Sequence, residues 1–506
     1  MPRHLVWFKK DLRIHDHAPL VRACAAGEVI CLYVYEPEIV QHPEFDASHL
    51  EFINRSLLEL AHELETRGSK LIYRTGRLPD VFAEVHQTHP FEAIWSHQET
   101  GHAVSFERDK RVATWAKAEG ITWHELPQQG VVRGKLDRRI WPKQWHGFIR
   151  TPTVAPPDKL ISPTDIPAGS HQRAADLGLT VRPKPEVQVG GEQTAHELLK
   201  SFLESRGLTY QRAMSSPVTA FETCSRLSPH FTFGTISLKT VWQRAQVQRD
   251  ALNEMKRQGE DIDARWFKAL HAFMSRLRWR DHFMQKLETE PDIEFHNLNR
   301  VYDGLREHDF NQDYFDAWCA GQTGFPMVDA AMRALHAGSW INFRMRAMLV
   351  SFASYYLWLH WRPTGLYLAR HFIDNEPGIH WAQFQMQAGV TGTHTVRIYS
   401  PAKQVRDHDP TGIFIRRYVP ELANVPNEYL AEPHTMPPLL QSMIGCVIGK
   451  DYPAPIVNGQ EALRINKARL AKVRNSPAAK REAKRVLAKH SNRPESPAQS
   501  SQLVRK

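Results

Sequence analysis

The second half of the chain is rich in Trp and Arg at spacings that could do chemistry. Arg276, Arg278 and Arg280 surround Trp279, and Arg344 lies one helical turn past Trp340, with Arg346 two residues further on. Guanidinium and aromatic groups together suit stacking on a planar ligand or a nucleobase, and a buried guanidinium needs a partner. The same residues also fit a plain core in which Trp279 and Trp340 pack and the arginines extend their heads to water. A second group, Cys224-Ser225-Arg226-Leu227-Ser228, offers hydroxyls and backbone N–H groups that could donate to a phosphate anion. It would equally serve as an ordinary helix cap.

The elements that must position these residues fall into two kinds. Residues 1–127 alternate strand and helix patterns. Leu5–Phe8, Val29–Tyr35, Lys70–Tyr73 and Glu92–Trp95 are short apolar runs rich in β-branched and aromatic residues, as in buried parallel strands. Between the second and third, Ser48–Arg67 sets Leu50, Ile53, Leu57, Leu58, Ala61 and Leu64 on one helical face, with Gly68 as a stop. Strands separated by helices predict a parallel α/β sheet with helices on both faces. The first strand runs into Lys9-Lys10-Asp11-Leu12-Arg13 and lacks both glycine-rich phosphate-loop patterns. Residues 128–195 are punctuated by Pro152, Pro156, Pro157, Pro163, Pro167, Pro183 and Pro185 and predict an interdomain linker laid over the surface. Residues 196–455 are helical in pattern throughout. Residues 456–506 form a basic tail, expected to be partly disordered, with disorder from Ser491 onward.

Of 506 residues, 42% are hydrophobic and 24% charged, the balance of a folded protein. No apolar stretch approaches the roughly 20 residues needed to span a bilayer, and charge arrives at Lys9-Lys10, so neither membrane span nor signal peptide is expected. Five cysteines without a C-x-x-C pair disfavour a disulfide framework and a four-cysteine zinc site. A reduced, cytoplasmic, enzyme-sized monomer is the expectation. From Glu461 onward there are 13 Lys/Arg against 3 Asp/Glu, a surplus equal to the whole formal net charge of +10. The body is therefore balanced, and tail charge alone does not argue for nucleic-acid binding.

Five segments add a resemblance. Trp7–Asp16, Ser225–His230, Leu277–Asp281, Thr323–Arg333 and Gly412–Leu422 occur in the order and spacing of the photolyase/cryptochrome flavoproteins, and the similarity covers residues 4 to about 455. The resemblance implies an N-terminal α/β domain followed by an all-helical domain that holds FAD in a bent shape. Tyr210 and Cys224-Ser225-Arg226-Leu227-Ser228 match the diphosphate site, with Cys224 replacing a hydroxyl residue. Arg346 and Asp374 match an Arg–Asp pair beside the flavin ring, and Glu376 stands in place of a second Asp. It further implies light-dependent repair of pyrimidine dimers in DNA by electron transfer from excited reduced flavin. A cryptochrome-like photoreceptor acting on a signalling partner is the alternative. A second, antenna chromophore, folate or deazaflavin, occurs in the family, and nothing in the sequence selects one.

The sequence also departs from the family pattern. His380 falls where the residue facing flavin N5 is usually Asn; an imidazole there could donate a proton or only a hydrogen bond. The family's three-tryptophan electron chain maps to Phe384, Trp361 and His308, and Phe is far harder to oxidise than Trp. Trp381, Trp358 and Trp318 offer an alternative route. In the lesion pocket the family's acidic residue falls at Arg276, its companion Trp at Phe273, and the neighbouring Asn and Met at Phe343 and Ala347. Arg276, Arg280, Phe343, Arg344 and Met386 are therefore the expected DNA contacts, the arginines as phosphate or lesion ligands. No metal site is expected.

Overall fold

The computed structural model describes residues 1–134 and 136–491. Its N-terminal part is a five-stranded parallel sheet of β1 (Arg3–Phe8), β2 (Glu28–Tyr35), β3 (Leu71–Thr75), β4 (Ala93–His97) and β5 (Thr122–Leu126), in the order β3-β2-β1-β4-β5. β1 is central, with Leu5 opposite Ile30 on one side and Ile94 on the other. Alternation along the strands feeds two cores. Val6, Phe8, Cys31, Tyr33 and Leu71 pack with the helix Ala47–Glu65, while Leu5, Trp7, Ile30, Leu32 and Ile72 pack with the helices Asp80–Thr88 and Ala103–Ala118. β5 escaped the sequence reading because it is a half-exposed edge strand without a continuous apolar run.

The expected linker is not all surface. Trp141 and Trp145, on the helix Trp141–Ile149, are buried. The buried Asp281 carboxylate accepts the Trp145 Nε1–H and the Gly130 N–H, each at 2.8 Å. A buried acid needs such donors, so this segment belongs to the helical domain's core. Between Thr151 and Gly191 the described residues hold no helix or strand. There the chain is laced to the sheet domain through Ile161 O with Val29 N and Ala168 O with Tyr73 N.

The helical domain is built around Pro326–Gly338, Phe343–Tyr355, Trp361–His371 and Pro377–Ala388, whose buried faces form its main core. The two domains interlock. Arg13 donates to the Gly234 carbonyl at 2.8 Å, Glu192 accepts the N–H groups of Ile14 and His15, and His49 Nε2 meets the Phe372 carbonyl at 2.8 Å.

The basic tail differs from expectation. Gly459–Arg474 and Pro477–His490 are helices that bury Leu470 and Val486 in the main core. Their amphipathic spacing was masked in the sequence by the density of Lys and Arg. The disordered end expected beyond Ser491 lies outside the described residues. Among the described residues no helix is long and apolar enough to cross a membrane.

Candidate functional site

The segment Cys224–Ser228 turns through Arg226, whose φ of 61° lies in the left-handed region that non-glycine residues seldom occupy. Its neighbours hold it there. Gln188 Nε2 donates to the Arg226 carbonyl at 2.7 Å, and Arg226 Nε donates to Gln188 Oε1 at 3.3 Å. The Arg226 guanidinium stacks 4.1 Å from the Trp340 ring centre, and Trp340 Nε1 donates to Ser228 Oγ at 3.2 Å. Arg206 Nη1 caps the carbonyls of Glu222 and Cys224, both at 2.7 Å. Gln188, Arg206 and the Trp340 stack were missed as site residues. Only Trp340 gave a signal, through its spacing to Arg344. Burial pushes the Cys224 thiol up to about 12, although Arg226, Arg206 and Arg346 all act in the opposite sense. The thiol stays neutral, and three cations converge on this turn.

Arg346 binds Asp374 through both terminal nitrogens, each at 2.9 Å, and donates Nε to the Ile341 carbonyl at 2.8 Å. Its guanidinium lies 4.1 Å from the Phe372 ring centre. Bidentate geometry of this kind fixes a cation in place. Tyr210 is buried close by against Phe202 and Phe273. Asn342 Oδ1 and Arg344 Nε, four and two residues before Arg346, are buried and without partners. Hydroxyls at Ser225 and Ser228, clustered guanidiniums and the unpartnered Arg344 Nε are donors, and Asn342 Oδ1 an acceptor, of the kinds a flavin dinucleotide can use.

Glu376 lies two residues past Asp374 in sequence and is buried. Its carboxylate accepts from Arg280 Nη2 at 2.7 Å and lies 4.0 Å from Lys10 Nζ, and burial raises its pKa. It thus pairs with Arg280 of its own domain and approaches Lys10 of the α/β domain.

His380 is buried beside Phe384. Nε2 lies 2.9 Å from the Gly365 carbonyl, so Nε2 carries the proton and Nδ1 is left as an acceptor. Burial pushes the imidazole down to about 3. The ring is neutral near neutral pH, with its proton directed at the Gly365 carbonyl. Gly365 also makes room for Trp381, because a Cβ there would stand 2.5 Å from that indole.

Of the aromatic route, the structure brings Trp381 to Trp361 with ring centres 5.6 Å apart, and Trp381 lies 4.9 Å from His380. Phe384 sits beside His380 at 4.6 Å. Trp361 Nε1 donates to Asn297 Oδ1. Trp358 and Trp318 do not join this pair. Trp358 is flanked by the Arg306 and Arg469 guanidiniums, and Trp318 packs on Phe315 and Tyr367.

The expected DNA contacts separate into two groups. Arg276 is exposed, with its guanidinium 5.2 Å from the ring of Trp279, itself 47% exposed. Phe343 is exposed, Met386 and Arg344 are half-buried, and Arg344 Nη2 reaches Ser215 Oγ at 3.3 Å. Arg280 is not on this surface, since Glu376, Gln129 and the Phe231 carbonyl hold it inside. Phe273 is buried against Phe202 at 4.6 Å, so the exposed aromatic beside Arg276 is Trp279. Trp279 is therefore no core residue.

Comparison with known proteins matches both halves of the chain to one family. Residues 4–135 match the family described as DNA photolyase, and residues 273–472 match the FAD binding domain of DNA photolyase. The chain is 29% identical to a deoxyribodipyrimidine photo-lyase of Streptomyces griseus, over 92% of this chain and 98% of that one. It is 27% identical to a cryptochrome DASH of Gloeobacter violaceus, over 92% and 95%. The crystal structure of a bacterial class III photolyase from Agrobacterium tumefaciens superposes with a TM-score of 0.81 at 25% identity, covering 94% of this chain and 98% of that one. With both halves matched in order across most of its length, the chain belongs to the photolyase/cryptochrome family.

Proposed function

We propose that this protein is a light-dependent DNA-repair flavoprotein that splits UV-induced pyrimidine dimers. The observation that carries the reading is that one helical domain holds both a locked Arg346–Asp374 pair beside the Cys224–Ser228 turn and an exposed face where the Arg276 guanidinium lies over Trp279. FAD, when bound, supplies light absorption and one-electron transfer. The chain supplies the rest. Ser225, Ser228, Arg226 and Tyr210 hold the diphosphate, and Asp374 locks Arg346 beside the ring. His380 presents a neutral acceptor toward the ring, and Trp381 with Trp361 gives an oxidisable path where Phe384 does not. On the outer face Arg276 and Arg344 contact backbone phosphates, while Trp279, Phe343 and Met386 take the flipped-out dimer, two adjacent bases of one strand. The protein acts as a cytoplasmic monomer.

A photoreceptor without repair is the second reading, favoured by one observation: the position at which photolyases carry an acid is the exposed Arg276. Illumination of the purified protein with a dimer-containing oligonucleotide separates the two. Restored thymines support repair. Bound flavin without restoration hands the protein to the receptor class, and a colourless preparation ends both readings. The same spectrum reveals a folate or deazaflavin antenna as an additional band.

A further inference from the structure

The helix Arg265–Thr289 carries Trp279 outward, and beyond it on the same stripe come His282 and Lys286, three and seven residues on. Contacts run along this stripe. The Arg276 guanidinium lies over Trp279, Trp279 meets Phe283 with ring centres 6.3 Å apart, and Lys286 Nζ stands 5.3 Å from the Phe283 ring centre. His282 lies beside Phe283 at 5.4 Å, and its Nδ1 accepts from Arg138 Nη2 at 2.7 Å.

The stripe is cationic and uncompensated. Both acids of this helix are engaged elsewhere: Asp281 is buried under the Gly130 and Trp145 N–H groups, and Glu288 accepts from Thr100 Oγ1 at 2.7 Å. Lys286 is half-buried and makes no ion pair or hydrogen bond among the described residues. Arg138 is 4% exposed and rests on the Trp141 ring at 5.0 Å, with Nε and Nη1 unpartnered. Burial and then the Arg138 charge push Lys286 down to about 8, the direction of a cation that lacks its anion. A merely solvated face pairs its charges. The helix Ala103–Ala118 does so, with Lys110 on Glu107 and Arg111 on Glu38.

At the far end of the stripe, Glu290 is eleven residues past Trp279 and on its face. Its carboxylate anchors the C-terminal helix Pro477–His490, with His490 Nε2 at 2.6 Å, Lys489 Nζ at 3.2 Å and Arg485 Nη1 at 3.5 Å. That acid is thereby consumed. On the anchored helix Lys480, Arg481 and Lys484 are exposed and form no ion pair among the described residues. Cations therefore continue from the aromatic face onto the end of the chain.

At about 1.5 Å per residue, Lys286 lies about 10 Å beyond Trp279 along the helix axis and Glu290 about 16 Å beyond it. A nucleic-acid strand advances about 3.4 Å per nucleotide, so these distances are about three and five nucleotides. Resting on the repair reading above, we propose that the DNA strand flanking the lesion runs along this helix, with Lys286 on the phosphate about three nucleotides from the dimer and Lys480, Arg481 and Lys484 on those from about the fifth onward. Arg138 touches no phosphate; it adds positive potential from beneath.

The test uses the full chain with its flavin, in the dark, and a duplex with one thymine dimer in which single phosphates on either side are replaced by neutral methylphosphonates. The expected map shows, on one side of the dimer, weakened binding at about the third phosphate and again from about the fifth. In Lys286→Gln the inner position becomes indifferent, and in Lys484→Gln the outer one does. Each variant lowers the salt slope of binding by about 0.9 with flavin content unchanged. A map without these positions on either side, or one that neither variant alters, overturns the proposal. So does saturable binding of inorganic phosphate that Lys286→Gln abolishes while the DNA map stays the same, because the cations then hold a free anion. Should Lys286→Gln fail to fold, the exposed Lys484→Gln and the map of the unmutated chain decide. A duplex left unbound ends the repair reading together with this one, whereas a dimer bound and repaired with a flat map ends this one alone.

Discussion

Arg346 places both terminal nitrogens on Asp374 and its Nε on a backbone carbonyl, so its position is set by one acid. Asp374→Ala leaves that guanidinium without its counter-ion. Breaking a buried pair typically costs about 3–5 kcal/mol; with the Arg346 side chain 24% exposed, the lower end is expected. A lower urea midpoint and a fall in the flavin-to-protein absorbance ratio check this together. A second residue-scale prediction concerns Trp381 and Trp361. Their rings are 5.6 Å apart, and the position nearest the flavin in the family pattern is Phe384. Trp381→Phe and Trp361→Phe should each slow light-driven flavin reduction by an external thiol at least about tenfold, equivalent to about 1.4 kcal/mol on the barrier. Phe384→Trp should speed it. Equal rates in all three variants would remove the pair from the route.

At the scale of elements, the motifs that made the family legible prove to be mostly braces. In Thr323–Arg333, Asp329 gathers the N–H groups of Thr323 and Gly324 and the Tyr452 hydroxyl, while Arg333 pairs with Glu421. Arg416, in the last motif, ties down the carbonyls of Ala423 and Val425. Such residues are readable because backbone geometry demands them. The four apolar strands and the helix at Ala47–Glu65 were legible for a related reason, namely strict periodicity. The inward turn of Arg280 and the neutral state of His380 were not, since each depends on a partner remote in sequence, Glu376 and Gly365. The tail was misjudged because charge hid two amphipathic helices. Truncation before Gly459 should therefore destabilise the protein, because the burial of Leu470 and Val486 goes with it, at about 1.5–3 kcal/mol each, and a thermal melt checks it. A DNA role of the tail is better tested with Lys467→Glu and Lys472→Glu, both exposed. These should leave stability within about 0.5 kcal/mol. If the tail grips phosphates, the salt slope of DNA binding should fall by about 0.9 for each phosphate no longer neutralised.

Across the whole molecule, imidazoles buried at the seam and in the cradle set how the protein meets acid. His49 reaches across to the Phe372 carbonyl, His230 bonds Thr235 Oγ1 behind the diphosphate turn, and His380 bonds the Gly365 carbonyl. Burial pushes them down to about 4, 3 and 3, from an ordinary value of 6.5. Between those folded values and 6.5 the unfolded chain binds more protons than the folded one, so stability falls as pH falls. It is fully present above 6.5 and is lost progressively toward pH 3 to 4. At pH 5 each imidazole should cost about 2 kcal/mol relative to neutral pH. Three together approach the 5–15 kcal/mol that holds an ordinary domain folded. Thermal midpoints should drop steadily from pH 7 to pH 5, with flavin released in the same range, because His230 and His380 flank its cradle. NMR of the ring nitrogens should show all three still neutral at pH 5.5 in the folded protein. A protonated His380 at that pH, with the fold intact, would mean the ring is solvated and that its carbonyl bond does not hold it as an acceptor.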